Sequence, residues 1–120
     1  MENLYQIIEQ QTDLNQISVK IIINAKHEIF KGHFPQQPVL PGVCQIEIIT
    51  EILSAIAKKN LSLSKAKNIK FPNMIIPKPK EEISIRIELK NDAYAEISAT
   101  IFKNEISYLK ARLSFEEIRL

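Results

Sequence analysis

The sequence predicts an α+β fold in which one long helix is covered by a curved antiparallel sheet. Residues 42–59 have apolar side chains at helical spacing, whereas most other segments have them on alternate positions, as strands do. Short turn-like connections join the last strands, which favours antiparallel neighbours. At 120 residues, the chain is expected to form a single domain, 1–120.

The strands are predicted from the alternation of apolar residues. The clearest covers residues 16–25, where Ile17, Val19, Ile21 and Ile23 share one face and a polar turn, 12–15, precedes them. Residues 3–10 suit either a short helix or a buried strand, and a strand is favoured. Further strands are expected at 62–71, 82–89, 94–103 and 106–117, with turns at 91–92 and 103–104.

The helix is predicted over residues 42–59. Its apolar positions, 43, 46, 49, 52, 53, 56 and 57, cover much of its circumference, which is typical of a helix wrapped by a sheet. A lysine pair lies at its C-terminal end, and Asn60 is the expected cap. The prolines between residues 27 and 41 predict an irregular loop before it.

Composition excludes several classes of function. The formal charge is only +2 with Lys and Glu interspersed, which does not suit a nucleic-acid-binding protein; the small basic cluster at Lys65, Lys67, Lys70, Lys78 and Lys80 is typical of a solvated surface. No segment approaches the roughly 18 consecutive apolar residues of a membrane helix. A lone Cys44 and an N-terminus without a signal-peptide pattern favour the cytoplasm.

The candidate chemistry lies in the loop before the helix and in the first turns of the helix. Residues 30–43 contain one of two histidines, both glycines and three of six prolines. Gly42 begins the helix, where unpaired N–H groups suit a developing oxyanion. His33 is a natural general base near neutral pH. Glu47 is expected among Val43, Ile46, Ile49 and Thr50, and a carboxyl group in apolar surroundings favours its protonated, acidic form.

Each residue also has a simpler interpretation. A histidine beside Pro and Phe is usually a packed loop residue, and a helical glutamate is usually solvated. His27 is six positions from His33 and no His/Cys cluster exists, so no metal site is predicted. Cys44 is expected to serve packing. Tyr5, Tyr94 and Tyr108 fall on strand patterns and are expected in the core or on a sheet face rather than at a ligand.

One motif resembles a known family. It comprises Gly32-His33-Phe34-Pro35, then Pro38-Val39-Leu40-Pro41-Gly42-Val43, and Glu47 14 positions after His33. This pattern closely resembles the active-site segment of the bacterial 3-hydroxyacyl-acyl carrier protein dehydratases, which have the hot-dog fold. A weaker similarity extends to Ile69-Lys70-Phe71-Pro72 and Ile76-Pro77.

The resemblance implies an enzyme, without a cofactor, that removes water from a 3-hydroxyacyl thioester to give the trans-2-enoyl product of fatty-acid or related biosynthesis. His33 would take the C2 proton and Glu47 would protonate the departing hydroxyl. The N–H groups of Gly42 and Val43 would bind the thioester oxygen. Four residues are expected to line the substrate pocket: Phe34, Pro38, Val39 and Leu40.

The resemblance also implies partners. In the family, the histidine and the acid facing it come from different subunits, so a homodimer or higher oligomer is expected, with His33 meeting Glu47 of the partner subunit. The substrate is expected on acyl carrier protein, which Lys31 and other basic residues could contact. Neither nucleic acid nor membrane is an expected partner.

Two departures from the family concern the pathway. Residues 1–26 lack the Pro-His-Arg segment of housekeeping fatty-acid enzymes, so the chain is more similar to the short branch that serves polyketide, aryl-polyene or other dedicated pathways. Glu51 stands where the family tends to have Gln. It shares a helix face with Glu47, so one of the two carboxyl groups is expected to hold its proton more strongly, and Glu51 is a candidate modulator.

Two alternative functions share this fold. A hot-dog acyl thioesterase would use the same thioester substrate but does not explain the Gly-His-Phe-Pro loop. A non-catalytic acyl-binding subunit of a mixed dimer would need neither the base nor the acid.

Overall fold

The computed structural model describes residues 2–31, 38–90 and 93–118. The predicted turn at 91–92 lies outside these ranges. Six strands and one long helix follow in the order β1 (Tyr5–Asp13), β2 (Gln16–Ile23), α1 (Gly42–Ala57), β3 (Leu61–Lys70), β4 (Glu82–Lys90), β5 (Ala93–Lys103) and β6 (Ile106–Glu117). A short 3-10 helix, Glu28–Phe30, lies between β2 and α1.

The six strands form one antiparallel sheet in the order β1-β2-β4-β5-β6-β3. The meander β4-β5-β6 confirms the predicted antiparallel connections, although the β5–β6 turn lies at Asn104 and Glu105, one residue later than expected. β3 follows α1 in sequence but pairs with β6 at the far edge of the sheet, while β2 pairs with β4. The connection that contains α1 therefore leads from β2, near one edge of the sheet, to β3 at the opposite edge.

The N-terminal segment is a strand, as predicted, but β1 begins at Tyr5 and continues to Asp13, later at both ends than the expected residues 3–10. The turn to β2 contains only Leu14 and Asn15. Leu14 has φ 33°, a left-handed conformation that a leucine adopts at some cost. The predicted inward face of β2 is confirmed, because Ile17, Val19, Ile21 and Ile23 are all buried.

The helix ends earlier than predicted. Lys58 takes the left-handed conformation with φ 56°, and the N–H groups of Lys58 and Lys59 both donate to the Ser54 carbonyl. These two backbone hydrogen bonds provide donors for a carbonyl group in the last turn of the helix. The expected cap, Asn60, is therefore wrong.

Only one face of α1 is buried in the single chain. That face carries Cys44, Gln45, Ile48, Ile49, Ile52 and Leu53 and packs in one core with the inward side chains of the sheet. The sheet wraps α1, as predicted, but covers one side of it only in the single chain, since Val43, Glu47 and Ala55 are exposed. We call these three residues the exposed helix face.

Among the residues that the structure describes, the outer strands β1 and β3 each pair with a neighbour on one side only. β3 is mostly exposed along its length and has irregular register with β6 at Leu63/Lys65 and Lys67/Lys70. β1 is exposed from Gln6 onward. Within the described ranges, no helix is long and apolar enough to span a membrane.

Candidate active site

The start of α1 is held by contacts to the preceding loop. The Leu40 N–H donates to the Ile75 carbonyl at 2.9 Å, and the Leu40 carbonyl accepts from Gln45 Nε2 at 3.3 Å. Within the helix, the first N–H to donate to Pro41 O is that of Cys44, at 3.0 Å. The N–H groups of Gly42 and Val43 precede it, as the orphan donors of a helix N-terminus do.

Phe71 covers this helix start. A Cβ atom at Gly42 would lie 2.6 Å from Cζ of Phe71 and 3.0 Å from two further ring carbons. Any side chain at residue 42 therefore requires the ring to move. Phe71 follows the last residue of β3, so the sheet edge and the helix N-terminus meet here.

Glu47 lies about one helical turn after Val43, on the exposed helix face. It borders a groove of about 390 Å³ between α1, the start of β3 and the chain beyond β6. The groove, which we call the helix groove, is lined by Val43, Ile46, Glu47, Thr50, Leu61, Ser62, Leu63 and Ile118. Of the expected neighbours of Glu47, Val43, Ile46 and Thr50 line the groove with it, whereas Ile49 is buried in the core. Glu47 itself is exposed in the single chain. The reason is its helical position, which faces away from the sheet.

Glu51 lies one turn further along α1 and contacts the first strand. The Tyr5 hydroxyl donates to Glu51 Oε1 at 2.8 Å, and both side chains are half-buried. Burial raises the pKa of the Tyr5 phenol far above its ordinary value. The hydrogen bond to Glu51 and the negative charges of Glu51 and Glu47 act in the same direction.

His33 and Phe34 belong to segment 32–37, which lies outside the described residues. Their roles as base and pocket residue stay predictions. The described chain stops at Lys31, which is exposed, and resumes at Pro38, four residues before the helix.

An apolar cavity of about 470 Å³ adjoins the helix start. Its lining residues are Ile29, Phe30, Pro38, Val39, Pro41, Val43 and Cys44. Pro38 and Val39 were expected at a substrate pocket, and both line this cavity. Leu40, expected there too, is not among the lining residues and is 4% exposed in the core. Burial, and then the charge of Glu47, raises the pKa of the Cys44 thiol, which suits the packing role expected for it.

His27 has a structural role. Its Nδ1 accepts from the Ile29 N–H at 3.0 Å and caps the 3-10 helix, while Nε2 lies 2.9 Å from the Glu2 carbonyl. Among the side chains that the structure describes, no group of three His, Cys, Asp or Glu residues could hold a metal ion.

Sequence reasoning missed two contacts at this site. It placed Tyr5 in the sheet or core, but Tyr5 also contacts Glu51, 46 residues away. It noted Phe71 only within a weak similarity, whereas the ring lies on Gly42. Neither contact has a local pattern, because both depend on which sheet edge approaches the helix.

The architecture defines the class of protein. A six-stranded antiparallel sheet packed on one long helix is the hot-dog fold, as predicted. A solved structure described as the dehydratase heterocomplex ApeI:P from Xenorhabdus doucetiae matches with a TM-score of 0.76 and 18% identity, covering 92% of this chain and 96% of that one. An uncharacterised protein from Erwinia carotovora matches with a TM-score of 0.75 and 20% identity, covering 96% and 98%.

Sequence comparison then gives the family. The model of the ApeI-like family, described as ApeI dehydratase, matches residues 9–108. The chain belongs to the ApeI-like dehydratase family.

Curated relatives are named 3-hydroxyacyl-[acyl-carrier-protein] dehydratase FabZ. The protein from Bartonella quintana is 32% identical over 101 residues, which is 77% of this chain and 64% of that protein. The protein from Fusobacterium nucleatum is 22% identical over 114 residues, or 91% of this chain and 81% of the relative. The chain thus spans a little under two thirds of the length of the Bartonella relative.

Proposed function

We propose that this chain dehydrates 3-hydroxyacyl thioesters, carried on acyl carrier protein, to trans-2-enoyl thioesters. The proposal rests on the groups that the first turns of α1 bring together. There the orphan N–H groups of Gly42 and Val43 and the carboxyl group of Glu47 lie on one helix, beside an apolar cavity and an open groove. Membership of the ApeI-like dehydratase family supports this chemistry.

Each residue has one step in the proposed reaction. His33 removes the proton from C2, and the electron pair moves toward the thioester carbonyl. The Gly42 N–H, with that of Val43 beside it, donates to the oxygen as negative charge develops there. The C2–C3 double bond forms as the C3–O bond breaks, and Glu47 protonates the leaving hydroxyl to give water. Transfer of the proton from His33 to Glu47 through solvent restores the starting state.

The proposed active unit is a homodimer in which His33 of one subunit faces Glu47 of the partner subunit. Three apolar side chains surround the helix groove and are unusually exposed for their type: Val43, Leu63 and Ile118. The free edge of β3 lies beside them. A second copy over this surface would exclude water from Glu47 and so provide the apolar surroundings that one chain lacks.

A mixed dimer is the alternative assembly. The Xenorhabdus structure is described as a dehydratase heterocomplex, which favours testing a second hot-dog subunit on the same surface. In either assembly we place the protein in the cytoplasm, where acyl carrier protein is available. We assign Lys31, which is exposed and immediately precedes the Gly-His-Phe-Pro motif in the sequence, to contact with the acidic carrier.

The test is hydration of a trans-2-enoyl thioester on acyl carrier protein, followed as loss of absorbance of the conjugated double bond. The wild type should hydrate it. Glu47→Gln should lower kcat by about 10²–10⁴-fold, the usual contribution of a general acid, and His33→Ala should do the same. Glu82→Gln, an exposed glutamate on β4, is the matched control.

The outcomes separate the candidate functions. Release of free thiol without loss of the double bond would indicate a thioesterase. If the wild type is folded and dimeric but neither hydrates the enoyl thioester nor releases thiol, the proposal that the chain is an enzyme is overturned. The hypothesis of a non-catalytic acyl-binding subunit then remains. Near-normal rates in Glu47→Gln would remove Glu47 as the acid.

A further inference from the structure

The contact between Tyr5 and Glu51 joins the first strand to the helix that carries the proposed acid. Tyr5 begins β1, and its hydroxyl donates to Glu51 Oε1 at 2.8 Å. Both side chains are half-buried, where a hydrogen bond to a carboxylate is stronger than one in open solvent. The bond therefore restrains the direction in which the Glu51 carboxylate points.

That direction matters because of Glu47. Residues four apart on a helix are neighbours, with about 5–6 Å between their Cβ atoms. Two carboxyl groups at such spacing can come together and share one proton. Tyr5 donates directly to Glu51 and therefore approaches the pair from the side of Glu51. The negative charges of Glu51 and Glu47 both raise the pKa of its phenol.

We propose that Tyr5 is a positioning residue that acts through Glu51. Its hydroxyl holds the Glu51 carboxylate toward β1 and away from Glu47. Glu47 then delivers its proton to the leaving hydroxyl of the substrate and does not share it with Glu51. The inference rests on the proposed dehydration and assigns Glu51 the state of an oriented hydrogen-bond acceptor.

The decisive experiment is a rescue measured by kcat in the hydration assay. Tyr5→Phe keeps the ring but removes the donor, so we expect kcat to fall by about tenfold, the lower end of the effect of a hydrogen bond to a charged group, with KM little changed. Glu51→Gln cannot take a proton from Glu47. The double variant Tyr5→Phe/Glu51→Gln should therefore regain the kcat of Glu51→Gln alone. Tyr94→Phe controls for loss of a phenol.

A merely structural role would give a different pattern. Damage to the packing of β1 on α1 would not be repaired by Glu51→Gln, so the double variant would be as slow as Tyr5→Phe or slower. That result, with an active wild type, overturns the inference and leaves the proposed dehydration intact. A wild type without hydratase activity overturns both.

A second measurement tests the contact without activity. The three tyrosines can be titrated by ultraviolet absorbance, and the difference between wild type and Tyr5→Phe isolates Tyr5. Its midpoint should lie above the ordinary tyrosine value and should move down in Glu51→Gln, which removes the negative charge. A Tyr5 midpoint that Glu51→Gln does not move would overturn the positioning role.

Discussion

The tip of the Phe71 ring packs against Gly42, so that a Cβ atom at residue 42 would be 2.6 Å from Cζ of Phe71. The absence of a side chain at residue 42 therefore lets an aromatic ring pack against the helix N-terminus. The ring is half exposed, and its far end can swing toward solvent. Gly42 is needed here for close approach rather than for an unusual backbone conformation.

The first prediction concerns this packing. Gly42→Ala should displace the Phe71 ring and lower the free energy of unfolding by about 1 kcal/mol, the lower end for overpacking, because the ring can move outward. Thermal unfolding checks the change. Phe71→Ala should remove the clash, so the double variant Gly42→Ala/Phe71→Ala should show a favourable coupling of about 0.5 kcal/mol or more. Strictly additive effects would mean that the ring does not rest on Gly42 in solution.

Local patterns predicted most of the fold. Alternating isoleucines located β2, and helical spacing located α1, because these patterns record which side chains meet the core. The place of β3 at the far edge could not be predicted, since it depends on which strand pairs with β6. The cap at Lys58 also had no signal, because it is a backbone arrangement that lysine does not favour.

The site was only partly predictable. The spacing of Gly42 and Glu47 on one helix follows from the sequence, whereas the exposure of Glu47 depends on what covers the exposed helix face. A sequence does not distinguish a face covered by its own sheet from one left for a second subunit, because both carry apolar residues such as Val43. The Tyr5–Glu51 contact spans the chain from β1 to α1 and is set by tertiary packing alone.

The second prediction concerns Gln45, a polar residue in the core. It is 3% exposed, its Nε2 donates to the Leu40 carbonyl, and its Oε1 has no hydrogen-bond partner among the described residues. Gln45→Met keeps the volume and removes the unpaired oxygen, so the free energy of unfolding should change by less than about 1 kcal/mol.

Gln45→Glu has nearly the same shape but places a carboxyl group in the core. This substitution should lower the free energy of unfolding by about 3 kcal/mol at pH 7. The stability should recover in acid, where the carboxyl group is neutral. Urea unfolding at pH 5 and 7 measures both variants, and Gln10→Glu on the exposed β1 strand is the control. Equal stability of Gln45→Glu and Gln10→Glu at pH 7 would show that residue 45 is hydrated.

The third prediction concerns alkaline pH. Burial raises the pKa of Cys44 above its ordinary 9.0, and burial likewise raises those of Tyr5 and Tyr108 above 10.0. The folded protein therefore binds more protons than the unfolded chain once pH exceeds 9, so stability should fall as pH rises from there through 11. Below pH 8 these groups should not make the stability depend on pH.

Thermal midpoints between pH 7 and 11 measure that slope. Cys44→Ala should reduce it from pH 9 upward, and Tyr5→Phe from pH 10 upward, whereas Tyr94→Phe serves as the control. A midpoint that rises between pH 9 and 11 would contradict the assigned burial of these groups.

The fourth prediction concerns the surface around the helix groove. Leu63 lies on the free edge strand β3 and borders the groove. In a twofold dimer formed there, Leu63→Glu would place two like charges in one interface, which costs several kcal/mol, so the dissociation constant should rise by about a hundredfold or more. Sedimentation analysis would show monomers. Hydratase activity should fall with the dimer fraction, since His33 would have lost Glu47 of the partner subunit. The control is Leu14→Glu, at a leucine that is 90% exposed in the β1–β2 turn, and this variant should remain dimeric and active. If Leu63→Glu leaves the dimer unaffected, the interface does not include β3.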